Sequence, residues 1–271
     1  MLMSVRALAS IGLLSLAILV LGCASDARGL DEPNQTDFEL SVVSYNVNFG
    51  LAGDPQTLAA VLETEADVVL LQETTPEWEQ ILRASPQLDE RWPHATFHHC
   101  CGAGGLAVLS RWPIDTFEVL EPPPNPDAWF PAARAIVQTP AGLVELLDVH
   151  LRPPVKTADR GWLSALSTTP EVRLAEVEHH LPKLDAELPT IIAGDFNEGD
   201  GGRAVSRLAQ AGFVDVLAVL GVRGTTWRWG GLKARLDHVL VDEQFEPIEG
   251  EVLDVGRSDH RPVRVRVRLR L

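Results

Sequence analysis

Positive charge is scarce in this chain. Lys and Arg number 23 against 38 Asp and Glu, and the formal charge is −15. A broad cationic footprint for nucleic acid is therefore disfavoured, although a local basic groove is not. Cysteine is scarcer still, at three residues, two of them adjacent at Cys100 and Cys101. They follow His98 and His99, which invites a zinc reading. On one straight strand His98 and Cys100 face one way and His99 and Cys101 the other, so four ligands do not converge. A bond between the two sulfurs is disfavoured as well. Adjacent Cα atoms lie ~3.8 Å apart, below the usual ~4.4–6.8 Å. Free, buried thiols are expected there. After Leu21 no apolar run approaches the ~20 residues that span a bilayer. No internal repeat is visible. What the chain does have is bulk: 271 residues, 45% of them hydrophobic. That is enough for one large α/β domain with a sizeable core.

The N-terminus reads as targeting rather than fold. Arg6 precedes an apolar run from Ile11 to Leu21, then Gly22 and Cys23. Val20-Leu21-Gly22-Cys23 resembles a bacterial lipobox, with Leu21 a departure because a smaller residue is usual there. The expectation is a signal peptide over 1–22 and lipid on Cys23. That places the chain at the cell envelope, on a periplasmic or extracellular membrane face. The alternative is an ordinary signal peptide or an uncleaved anchor. Loss of 1–22 removes only Arg6 among the charged side chains and takes the charge from −15 to −16. Residues 23–37 carry Asp26, Arg28, Asp31, Glu32, Pro33, Asn34 and Gln35, with almost nothing to bury, and read as a linker. Fully stretched it reaches roughly 50 Å at ~3.5 Å per residue. It holds a single domain, 38–271, near a membrane surface.

Within that domain, Phe38 to Tyr45 is a strand signal ending at Asn46-Val47-Asn48. Asp54-Pro55 then opens a helix. Val68 to Leu71 is a strand buried on both faces, ending in Gln72-Glu73-Thr74, and Thr75-Pro76 opens the next helix. His94 to Cys101 and Gly105 to Arg111 pair as a hairpin. Ala133 to Val137 pairs with Leu143 to Leu151, where Asp148 and His150 share a face. A carboxylate there is expected to orient the imidazole, although His150 also suits a satisfied core histidine. Thr169-Pro170 starts a helix carrying Arg173 in its first turn. Pro189 to Ala193 is a strand ending in Gly194-Asp195-Phe196-Asn197, with a helix around Arg203 to Ala211. Arg235 to Val241 is a strand with Asp237 near its start. Arg264, Arg266, Arg268 and Arg270 lie on one face of the last strand and read as a solvated stripe. Asn46, Glu73 and Asp195 thus sit at strand ends, where α/β proteins assemble sites.

Taken in order, Ser44-Tyr45-Asn46-Val47, Gln72-Glu73, Leu109 to Ile114, Asp148-Val149-His150-Leu151, Gly194-Asp195-Phe196-Asn197, Arg235-Leu236-Asp237-His238 and Ser258-Asp259-His260-Arg261-Pro262 span nearly the whole domain. Together they resemble the endonuclease/exonuclease/phosphatase family, the group related to DNase I, AP endonucleases and neutral sphingomyelinases. The resemblance implies a four-layer α/β/β/α sandwich of two packed, mainly antiparallel sheets, with the site at one end. It implies Glu73 as the main metal carboxylate, with Asn46 and Asp259 completing or supporting the site. Oxygen donors of this kind suit Mg²⁺ or Mn²⁺. It also implies that Asp195 and Asn197 position the attacking water and a phosphate oxygen. His260 is the implied base or phosphate contact, oriented by Asp237, and His150 the implied acid. Asp148 departs from the family, where many relatives carry asparagine, and is expected to favour the acid form of His150.

The implied activity is metal-dependent phosphoester hydrolysis, most readily of diesters, by a membrane-tethered monomer. The alternatives are a non-catalytic lipoprotein using the fold to bind, and a secreted nuclease. The substrate classes that remain open are a phospholipid headgroup, a nucleotide, a short nucleic acid and a small phosphorylated metabolite. The sequence shows neither a long aromatic membrane-inserting hairpin nor a clear basic DNA-binding loop. Long duplex DNA is disfavoured because neutralising its phosphates takes many cations. Arg111, Arg152, Lys156, Arg173 and Lys233 are the candidates near the motifs.

Overall fold

The protein is described here by a computed structural model covering residues 38–155 and 161–270. Cys23, the signal-like segment, the linker and Lys156 lie outside those residues. The strands, in chain order, are β1 (Phe38–Asn46), β2 (Val68–Gln72), β3 (His94–His98), β4 (Leu106–Ser110), β5 (Ile114–Leu120), β6 (Ala132–Thr139), β7 (Gly142–His150), β8 (Thr190–Asp195), β9 (Val214–Asp215), β10 (Trp227–Trp229), β11 (Leu232–Ala234), β12 (Asp237–Val241), β13 (Phe245–Val252) and β14 (Val263–Leu269). The helices are α1 (Pro55–Leu62), α2 (Pro76–Arg83), α3 (Pro86–Arg91), α4 (Trp162–His180), α5 (Arg203–Gln210) and α6 (Val216–Val219). Two six-stranded sheets form, in the orders β13-β14-β1-β2-β4-β3 and β5-β6-β7-β8-β12-β9.

Alternation along the strands builds the layers. Val42, Leu70, Val108 and Val265 of the first sheet meet Ala135, Leu146, Ile191 and Val239 of the second in one buried core. Their neighbours Val43, Leu71 and Leu109 point the other way, onto Val61, Trp78 and Leu82 of α1 and α2. Leu147, Val149 and Ile192 likewise face Val177, Ala204 and Leu208 of α4 and α5. The result is the expected α/β/β/α sandwich. Each central strand is apolar on both sides because each side has a layer to cover it. Local signals set the helix starts. Asp54 accepts from the backbone N–H of Thr57, and Thr75 from that of Trp78, each with proline at the first helical position.

Each sheet contains one parallel pair at its centre, β1 with β2 and β7 with β8, and antiparallel pairs elsewhere. Helices α1 and α4 make the two crossovers that parallel pairing demands. This arrangement gathers four strand ends. Asn46 lies beside Gln72, and His150 beside Asp195. The antiparallel neighbours begin where those strands finish: Asp237 pairs with Asp195, and Val263 with Ser44. One end of the sandwich therefore collects the last residues of β1, β2, β7 and β8 with the first of β12 and the approach to β14.

Three local expectations need correction. Helix α4 begins at Trp162, and Pro170 lies inside it. Proline has no N–H to offer the carbonyl of Leu166, but residues 166–168 are exposed, so water can serve that side of the helix. Strand β3 stops at His98, so strand alternation does not extend to the cysteines. The backbone turns sharply at Cys101, and Cys100 and Cys101 are joined as a disulfide across a Cα separation of 3.8 Å rather than left as free thiols. Finally, Arg228 to Lys233, expected as a short loop before Asp237, lies within the two-stranded hairpin β10–β11, which runs from Trp227 to Ala234.

Candidate active site

Asp195 is the centre of the gathered end. It follows Gly194, whose φ of +145° and close approach to β7 leave no room for a side chain: a Cβ there would fall 1.9 Å from the Val149 carbonyl oxygen. Asp195 Oδ1 accepts from the backbone N–H of Asn197 at 2.9 Å. Asp195 Oδ2 accepts from Asn46 Nδ2 at 3.1 Å and faces two imidazoles, with His150 Nε2 and His260 Nε2 each 3.5 Å away. Behind His260, Asp237 takes Nδ1 with both oxygens, at 3.0 and 2.9 Å. Thr226 Oγ accepts from the N–H of Asp237 and fixes that strand start. The Ser258 hydroxyl accepts from the N–H of His260 and donates to the Asn46 carbonyl, tying the 258–260 turn to β1.

Asp195, Asp237 and His260 are all buried. Burial alone would push His260 down. The charges of Asp237 and Asp195 overcome it and lift the imidazole to about 10. Burial also pushes Asp237 up, against the pull of His260. The two partners thus shift the same way, which a simple ion pair does not do. The direction fixed by the geometry is that of His260, because two carboxylates face one ring. It is an imidazolium at neutral pH.

The second half of the site lies on the first sheet. Asn46 Nδ2 also donates to Glu73 Oε1 at 3.0 Å, so one amide joins the two sheets. Glu73 Oε2 accepts from the N–H of Phe49 at 3.1 Å. Asp259 accepts from Asn48 Nδ2 at 3.0 Å and from Trp227 Nε1 at 3.1 Å. Asn48, Glu73 and Asn197 all take positive φ, at 62°, 61° and 52°. Asparagine tolerates this conformation and glutamate does not readily, so backbone strain is concentrated at the site. The Asn46 side-chain oxygen is committed to the N–H of Asn48 at 3.1 Å. That bond takes one of the two acceptor positions of the oxygen, so Asn46 ties its neighbours together and keeps one acceptor position. Among the described residues, Asp195, Asp237 and His260 form the tightest group of ionisable donors, within 4.8 Å of one another. Glu73 adjoins that group through Asn46 and lies 3.9 Å from His150 Nε2, while Asp259 is tied to Asn48.

The expected pairing of Asp148 with His150 does not occur. Two residues along a strand are nearly 7 Å apart, and Asp148 lies one layer deeper, fully buried. It accepts from Gln72 Nε2 of the other sheet at 2.6 Å, and burial raises its pKa well above the carboxylate range. His150 instead takes its orientation from the Ala103 carbonyl, 3.0 Å from Nδ1, and from the Phe130 ring stacked on it at 4.6 Å. Sequence reasoning also missed Asn48, although its position two residues after Asn46, at the same strand end, was a usable signal. It missed Thr226, which no local pattern marks, and it placed Ser258 in a motif without giving it a role.

A cavity of about 730 Å³ opens over these groups and is lined by Glu73, His150, Asp195, Asn197, Asp259 and His260 on its polar side. Of the described candidate cations, Arg173 alone lines it. Its Nε donates to Glu198 at 3.0 Å. Arg111 pairs with Asp67 at the far end of β2, and Arg152 is buried beneath Trp129.

The family model for the Endonuclease/Exonuclease/phosphatase family matches residues 43–260. The chain belongs to that family. Its solved relatives share the fold at low identity. The endonuclease/exonuclease/phosphatase from Beutenbergia cavernae is 22% identical with a TM-score of 0.66, over 85% of this chain and 72% of that one. TDP2 from D. rerio, solved with a single-strand DNA product, is 18% identical with a TM-score of 0.63, over 85% and 99%. The 3′ phosphatase NExo from Neisseria, bound to a product DNA hairpin, is 17% identical with a TM-score of 0.64, over 83% and 98%. No curated protein sequence matches the chain. Members of the family are phosphoesterases and nucleases and generally use divalent metals, and the matched span contains every site residue described above.

Proposed function

We propose that the protein is a metal-dependent phosphoester hydrolase, acting on diesters and held at a membrane by lipid on Cys23. The observation that carries this reading is Asp195 Oδ2, placed between His150 Nε2 and His260 Nε2 and held by Asn46. A carboxylate flanked by two imidazoles, one already charged, is a proton acceptor beside two proton or phosphate contacts. In the reaction, water attacks phosphorus, an O–P bond forms, and the P–O bond to the leaving alcohol breaks. The water proton passes to Asp195. His260, lifted to about 10, is a cationic contact for a phosphate oxygen rather than the base. His150 has Nδ1 committed to the Ala103 carbonyl, so a proton on Nε2 makes the ring cationic and available to the leaving oxygen. Asn197 holds a second phosphate oxygen.

The donor chemistry fits a hard divalent cation. Glu73 and Asp259 are carboxylates, both line the cavity, and neither is paired with a lysine or arginine, although Glu73 Oε1 lies 3.9 Å from His150 Nε2. They would hold Mg²⁺ or Mn²⁺, with Asn46 in support. Such an ion neutralises charge that develops on the phosphoryl group. Hydrolysis of bis-p-nitrophenyl phosphate should vanish in EDTA and return with Mg²⁺ or Mn²⁺, and should exceed that of the monoester. Full activity in chelator removes the metal from the proposal. No turnover of either ester leaves the non-catalytic binding reading. For the tether, wild type should sediment with membranes and Cys23→Ser should not; equal sedimentation would refute lipidation.

A further inference from the structure

Five of the nine large apolar side chains that are exposed among the described residues line the one active-site cavity. They are Phe49, Val155, Leu166, Trp229 and Leu232. Such side chains scattered singly over a surface need no explanation, whereas a cluster around a site marks what the site receives. The hairpin β10–β11 shows how the cluster is built. Trp227 pairs with Ala234 and Trp229 with Leu232, so these four share one face; Arg228 pairs with Lys233 on the other. All four residues of the apolar face line the cavity, and neither cation does. Gly230 and Gly231, both at positive φ, make the tight turn that holds the tip out. Trp229 is 67% exposed there and Leu232 58%.

We infer that the substrate is a phospholipid in a lipid aggregate, its phosphodiester on the polar floor and its acyl chains against the apolar rim. The inference rests on the phosphoesterase reading and specifies its substrate class. A single-stranded nucleic acid asks for a row of cations along its backbone and aromatic faces for its bases. The hairpin turns its cations away, and of the three exposed large apolar side chains that line the cavity outside the hairpin, Phe49, Val155 and Leu166, two are aliphatic. Aliphatic side chains do not stack with bases and do pack against acyl chains. A chain of charge −15 has no general attraction for a polyanion. Tryptophan at the protruding tip suits the boundary between headgroups and chains.

The test compares the full chain and its variants in Mg²⁺ on three probes. These are bis-p-nitrophenyl phosphate, dioctanoylphosphatidylcholine below and above its micelle-forming concentration, and a single-stranded 12-nucleotide DNA. Wild type should hydrolyse the lipid faster than the DNA, with a rise when micelles form. Trp229→Ala with Leu232→Ala should lower kcat/KM on micelles at least ~10-fold more than on bis-p-nitrophenyl phosphate, the scale of burying one large apolar side chain. Trp229→Phe with Leu232→Met should restore most of that ratio. Arg228→Ala with Lys233→Ala should leave it within ~2-fold. Equal losses on every probe would reduce the hairpin to a structural part and overturn the inference. So would a DNA rate above the lipid rate. If wild type hydrolyses bis-p-nitrophenyl phosphate but not the lipid, the inference fails while the phosphoesterase reading stands. If it hydrolyses nothing, the reading itself fails.

Discussion

Two regions of the molecule carry dense charge, and they treat it in opposite ways. On the outer face of the first sheet, Arg264, Arg266 and Arg268 of β14 each meet glutamates across the strands. Arg264 pairs with Glu251, Arg266 with Glu249 and Glu39, and Arg268 with Glu39 and Glu246. Every charge there has a nearby opposite and open water. At the site, four carboxylates, Glu73, Asp195, Asp237 and Asp259, converge on two imidazoles, His150 and His260, and two of those carboxylates are buried. A fold seeking stability alone would arrange charge as on β14. Four carboxylates gathered on two imidazoles are compensated only in part and store cost, and that cost is reasonable where a cation or a phosphate is to be received. The difference separates charge that serves solubility and pairing from charge that serves chemistry.

The sharpest way to test that division is to remove one member of the site. Asp195→Ala and His260→Ala should each lower kcat on bis-p-nitrophenyl phosphate by at least ~10²-fold, the scale for losing a proton-transfer group or a charge stabiliser. Thermal stability should change little in Asp195→Ala, whereas His260→Ala, which leaves the buried Asp237 without its cationic partner, should lower it. Circular dichroism and a melting curve check the second half. Wild-type rates in both variants would mean that the partly compensated carboxylates serve binding and not hydrolysis.

A smaller effect follows from His260 itself. In the metal-free fold its pKa stands near 10, above the ~6.5 of an unfolded imidazole. A raised pKa gives stability that is whole below ~6.5 and is lost as pH rises through about 10. Each pH unit between those values is worth at most about 1.4 kcal/mol. Urea unfolding in EDTA between pH 6 and 10.5 should therefore show wild type losing stability, and His260→Gln losing less. A parallel decline in the two proteins would place the imidazolium elsewhere.

Much of the fold was legible because its signals are short-range. The caps Asp54 and Thr75 act within one turn, and the apolar runs of β2 and β8 declare burial on both sides. The site was legible for a related reason. Polar residues directly after apolar strands, as at Asn46, Glu73 and Asp195, mark strand ends, and two parallel pairs bring those ends together. What escaped is long-range or depends on exposure. Asn48 reaches Asp259 and Gln72 reaches Asp148 only after the sheets have packed, so a same-face rule assigned Asp148 to the wrong partner. Thr169-Pro170 looks the same at the start of a helix as inside one. The decision rests on whether the preceding turn meets solvent. In the hairpin β10–β11 the alternation of Trp227, Arg228 and Trp229 is present, but three residues are too few to distinguish a strand from a loop.

The smallest predicted effect tests the other region. Arg266 is 41% exposed on its side chain and touches two glutamates. Exposed pairs of this kind are screened and contribute under ~1 kcal/mol, so Arg266→Ala should lower the melting temperature by no more than ~3 °C in a domain of this size. In ~0.5 M NaCl the difference should shrink further. The point of the variant is position. β14 begins three residues after His260, and its pairing with β1 is what brings that histidine against Asp237. If the arginine ladder sets the strand register, loosening it should disturb His260 and lower kcat. The buried alternates Val263, Val265 and Val267 already fix the register, since a slip of one residue would turn them outward and the arginines inward. Activity should accordingly stay within ~2-fold of wild type. A tenfold loss in kcat at unchanged stability would show that the compensated charges on β14 also hold the partly compensated ones in place, and that the two regions work as one.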